Sequence, residues 1–86
     1  MYSIIERYMS MLKKEDVFNF AVNKNIFLSN EELNFTYAFI KKNWQDIVKN
    51  PNLFEIEKYK NRFSEENFKK VKQLFKEYHQ KFGSFL

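Results

Sequence analysis

Apolar residues along the chain recur at three- and four-residue steps, and no segment alternates long enough to suggest a strand. After Ser29, the positions Leu33, Tyr37, Ile40, Trp44 and Ile47 form one stripe, widened by Phe35, Phe39 and Val48. They predict a helix from Asn30 that ends near Asn43 or runs on to Lys49. Phe68, Val71, Leu74 or Phe75, Tyr78 and Phe82 hold a second regular face, and predict a final helix closed by Gly83 as a left-handed stop. Val17, Phe18, Ala21 and Val22 mark an earlier helix over Lys14 to Lys24, and Ile4, Ile5, Tyr8, Met9 and Leu12 mark another before it.

Capping residues sharpen these boundaries. Ser29 and Glu32 have the spacing of a capping box, in which each side chain bonds the other residue's backbone amide, and Leu28 and Leu33 have that of a hydrophobic staple. Ser64 opens the last helix in the same way, with Glu65 and Glu66 against the positive end of its dipole. Asn25 tolerates the left-handed conformation that ends a helix. Asn50-Pro51 reads as a cap followed by a first-turn proline, predicting a short amphipathic helix through Leu53, Ile56, Tyr59 and Phe63. The sum is an all-α protein, a small bundle of four or five short helices in one domain over 1–86, with 14–83 as its core bundle and 1–13 as an N-terminal helix.

Composition narrows the chemistry. Eleven Phe, five Tyr and one Trp in 86 residues exclude a disordered chain, which is poor in aromatics. No cysteine and a single histidine remove disulfides, thiolate nucleophiles and the usual zinc sites, and favour a cytoplasmic location. The N-terminal residues, with Glu6 and Arg7 interrupting the apolar run, do not read as a targeting leader, and no apolar run approaches the ~18 residues of a membrane span. Glu31, Glu32, Glu65 and Glu66 sit in first turns, where carboxylates stabilise a helix, and His79 sits in a last turn, where a cation does. The chain is therefore expected to be no enzyme and to hold no cofactor and no metal.

Two features remain for function. The formal charge is +4, with thirteen Lys to two Arg, and Lys69, Lys72 and Lys76 share the face of the last helix opposite its apolar stripe. They are the candidate nucleic-acid contacts, or else the ordinary solvated face of a helix. A helix-turn-helix reader is disfavoured, because the second helix begins Asn30-Glu31-Glu32 and would aim carboxylates at the groove. The second feature is an apolar surplus: 36 large apolar residues, where a bundle of this length needs about 28 on its inner faces. Tyr2, Phe20, Phe27, Phe35, Phe39, Phe85 and Leu86 flank the stripes, with Phe39, Phe85 and Leu86 as candidate interface residues for a homodimer or another protein partner.

The order of Asn25-Ile26, Leu28-Ser29 with Glu31-Glu32, Asn50 to Phe54, and a Ser64-capped helix carrying Leu74-Phe75 resembles the YqfT-like family of small helical bacterial proteins. The resemblance covers about Lys13 to Phe82 and departs at Lys13-Lys14, where the family opens with Thr-Pro. It implies a helical fold. That family has no established activity, so the resemblance supplies no site residues.

Overall fold

A computed structural model describes the backbone of residues 2–50 and 54–83 and the side chains of 3–50 and 54–77. Among the described residues four α-helices form: α1 over Tyr2–Met11, α2 over Lys14–Asn23, α3 over Asn30–Lys49 and α4 over Glu65–Gly83. A 3-10 helix, Ile56–Arg62, lies between α3 and α4. No strand occurs among the described residues, so the protein is all-α, as the apolar spacing predicts.

The connections follow from local chemistry. Lys13 precedes α2 but has no acceptor in its side chain; the Asp16 carboxylate instead accepts from the Lys13 amide at 2.9 Å. At the other end of α2, Asn25 takes a φ of 62°. The Ile26 amide reaches back to the Ala21 carbonyl at 2.8 Å and the Asn25 amide to that of Val22 at 2.9 Å. These two bonds make a Schellman stop, sealed by the burial of both Ile26 and Ala21. The box opening α3 is formed in both directions: Ser29 N donates to Glu32 Oε1 at 2.8 Å and Glu32 N to Ser29 Oγ at 3.2 Å. Ser64 Oγ accepts from Asn67 N at 3.1 Å to open α4.

Two expectations are corrected. The start of the helix predicted to open at Asn50-Pro51 falls on residues 51–53, which lie outside the described residues; beyond them 54–55 are not helical, and Ile56–Arg62 is a 3-10 helix rather than an α-helix. Asn50 N donates to Asp46 O at 2.9 Å and prolongs the ladder of α3, which takes the longer of its two readings. Ile56 and Tyr59 stand three apart, and in a helix of three residues per turn they fall in line on the half-buried side. Phe63 is already extended at φ −130° and ψ 156°. Leu53 lies outside the described residues. Gly83 is the last residue of α4, and no glycine among the described residues has the positive φ expected of a stop.

The chain divides into two units, residues 1–44 and 45–86, with α3 contributing to both. The first holds every buried side chain among the described residues: Leu12, Val17, Ala21, Ile26, Trp44 and the capping Glu32. The second is held by an aromatic cluster. Phe54 packs against Phe75 with ring centroids 4.8 Å apart and stacks on Tyr59 at 5.9 Å, while Phe63 meets Phe68 at 6.5 Å. All of these rings remain half-buried.

Candidate functional site

α1, with Leu12 just beyond its last turn, carries two apolar stripes rather than one. Ile5, Met9 and Leu12 are spaced i, i+4, i+7 and are buried or half-buried. Ile4, Tyr8 and Met11 repeat that spacing one residue earlier and are 70, 61 and 69% exposed. At about 100° per residue the stripes lie side by side and together span about 160° of the helix surface. A single contact with the rest of the unit covers only the inner one.

Polar bonds from α3 hold α1 in this orientation. The last carbonyls of a helix have no partner within it and carry its negative dipole end. Lys41 Nζ donates to Met9 O at 2.8 Å and reaches Ser10 O at 3.4 Å, and Tyr37 Oη donates to Leu12 O at 3.1 Å. Tyr37 and Lys41 are one turn apart on α3, so one face of that helix satisfies the end of α1. Lys41 thereby caps a helix other than its own.

The same unit exposes Phe18 and Phe20 on α2 and Phe27 beyond it. Phe18 is a correction, since its neighbours Val17 and Ala21 take the inner side of α2 and turn it outward. Lys24 Nζ lies 5.9 Å from the centre of the Phe20 ring. Phe39 is half-buried and packs on Phe35 with centroids 5.7 Å apart, so it is less open than α1. Phe85 and Leu86 lie outside the described residues, as do the side chains of Tyr2 and His79. Sequence reasoning passed over the outer stripe of α1, although the doublets Ile4-Ile5, Tyr8-Met9 and Met11-Leu12 signal it: paired apolar positions at helical spacing make an arc wider than the ~100° of an ordinary amphipathic helix.

The basic face of α4 is interrupted by acid. Lys69 and Lys76 are exposed, but Lys72 forms an ion pair with Glu57 of the 3-10 helix. The hydrogen bond from Lys72 holds the Glu57 carboxyl below its ordinary value; partial desolvation opposes this, and the charges of Lys72 and Lys60 add to it. Lys70 pairs with Glu66 at 3.7 Å and Lys58 with Glu55 at 3.4 Å. The charge excess is nonetheless concentrated here: residues 45–86 carry nine Lys and Arg against six Asp and Glu, whereas residues 1–44 carry six against five.

Among the described residues no group of three His, Cys, Asp or Glu side chains is placed to hold a metal ion, and no helix is long and apolar enough to cross a membrane. No family model, curated protein or solved structure matches the chain.

Proposed function

We propose that the protein is a non-catalytic helical interaction module of the cytoplasm that binds another protein chain through the first unit. The outer stripe of α1 carries this proposal: Ile4, Tyr8 and Met11 form an ordered row of large apolar side chains left open to water. Apolar side chains at i, i+4 and i+7 are the usual anchors by which one helix seats against another protein surface. The bonds from Tyr37 and Lys41 support the same conclusion, because a surface fixed in advance loses less entropy on binding. The YqfT-like resemblance adds a helical fold and no activity. Carbene footprinting tests the proposal. Tyr8 and Met11 are labelled freely in dilute purified protein and are protected at cellular concentration in a lysate. Equal labelling in both settings refutes it.

A second reading rests on the exposed Lys69 and Lys76 and on the excess of cations in residues 45–86. In it, α4 binds RNA or DNA without sequence preference. Electrophoretic shifts across a salt series check this: affinity falls steeply with salt, and replacing both lysines with Glu abolishes it. Binding insensitive to salt and to those substitutions ends this reading.

A further inference from the structure

The 3-10 helix of the second unit is seated on α4 by aromatic rings. Phe54 packs on Phe75 and stacks on Tyr59, and Phe63 meets Phe68 beyond the helix's other end. Ile56 and Tyr59 turn to the half-buried side. At three residues per turn Glu57 follows Ile56 by about 120°, so its carboxylate comes out at the flank of this seat, where it forms its ion pair with Lys72.

The place of Lys72 on α4 gives that pair its meaning. At about 100° per residue, Phe68 and Phe75 fall on one line, Lys72 stands about 40–60° from them, and Lys69 and Lys76 stand about 80–120° from them. Lys72 is thus the border between the aromatic seam and the basic face. It is also the middle of the basic row, about one turn from Lys69 on one side and Lys76 on the other. The acid of the 3-10 helix falls on this middle lysine and leaves the outer two exposed. Lys60 acts on the same carboxylate from the next turn of the 3-10 helix. The other acids of α4 do not interrupt the row: Glu65 stands at its end, Glu66 pairs with Lys70, and Glu77 accepts from Gln73 at 3.3 Å.

A nucleic-acid backbone laid along Lys69 and Lys76 crosses Lys72 and meets there a carboxylate of its own sign. Glu57 holds the position a backbone phosphate needs. We infer that Glu57 is an internal competitor for the basic face of α4, an autoinhibitory contact that nucleic acid must displace. This rests on the second reading given above and adds its regulation. The pair is about half exposed, and such pairs are weak and screened by salt. Glu57 therefore lowers the affinity of the face without closing it, and does so most at low salt.

Fluorescence anisotropy of the full chain with a labelled thymidine oligonucleotide, over a salt series, tests the inference. Glu57→Gln tightens binding about two- to fivefold at low salt. It also steepens the slope of log affinity against log salt by about 0.7, the contribution of one further phosphate contact on a single strand. Glu77→Gln removes the same charge from the same helix, away from the row, and gives a smaller gain with no change of slope. Adding Lys72→Gln to Glu57→Gln removes the gain. If Glu57→Gln binds no better than Glu77→Gln, or if its gain survives Lys72→Gln, the competitor is refuted while binding by Lys69 and Lys76 stands. If neither the wild type nor Glu57→Gln binds, or if binding ignores Lys69→Glu with Lys76→Glu, the nucleic-acid reading itself falls and the competitor with it.

Discussion

The ammonium of Lys41 lies 2.8 Å from the carbonyl oxygen of Met9, 32 residues earlier in the chain. It places a positive charge on the negative end of α1, where a cation is worth the most. Ten-residue helices are marginal in water by themselves, so α1 depends on this bond, on Tyr37 and on its inner stripe.

Lys41→Met keeps the aliphatic stem and removes the charge, and is expected to cost about 1–2 kcal/mol. Tyr37→Phe is expected to cost about 0.5–1.5 kcal/mol. Urea unfolding measures both. Amide exchange localises the effect: protection falls first in α1, and a uniform loss along the chain contradicts the capping role.

Trp44 is the largest buried side chain among the described residues. Trp44→Ala is expected to cost about 3–5 kcal/mol. Total stability for a chain of this size is on the order of 5 kcal/mol, so circular dichroism at room temperature should show extensive loss of helix. Trp44→Phe retains most of the volume and a cooperative transition.

Asn25 sits at φ 62°, where a side chain beyond Cβ is tolerated only in a few residue types. Asn25→Gly is expected to leave stability unchanged or to raise it slightly. Asn25→Val is expected to lower it by about 1–2 kcal/mol, since the Schellman bonds at Ala21 and Val22 require that backbone conformation. Thermal melts of the two variants should bracket the wild type, and identical melts would contradict this account of the turn.

Glu57 titrates below its ordinary value of 4.5 in the folded chain because Lys72 donates to it. A carboxyl with a depressed folded pKa contributes stability that is fully present above its unfolded value and is lost as pH falls through the folded one. Acid titration of the wild type should therefore show a loss in that window that Glu57→Gln lacks. Both side chains are about half exposed, so salt should shrink the difference. Glu57→Gln also frees Lys72, and if α4 binds polyanions the variant binds them more tightly at low salt.

Much of the fold is legible from residues that act on their immediate neighbours. Ser29 and Glu32, Ser64, and Asn25 each do what their side chains dictate within a few residues, and the elements they bound are those observed. The end of α3 could not be chosen from its stripe alone, and the bond from the Asn50 amide to Asp46 O is what carries its ladder to that point. The 3-10 helix has no distinct apolar signature, since Ile56 and Tyr59 fit a three-residue turn as well as an α-helical one. The surface is less legible. Counting apolar residues shows a surplus, but not which residues the fold leaves out. Periodicity groups Ile4 with Tyr8 and Ile5 with Met9 equally well, and only packing selects between them. Lys41 could not be read as a cap, because its partner lies on another helix.

The first unit has side chains sealed from water, and among the described residues the second has none. Regions without a sealed interior exchange their amides through small, frequent openings. Helix α3 belongs to both units, so it should loosen from one end. Its turns after Trp44 would exchange with the aromatic cluster of the second unit, while those near Glu32 persist until the whole chain unfolds. A single continuous helix would then carry a gradient of lifetimes along its length, with Trp44 at the step.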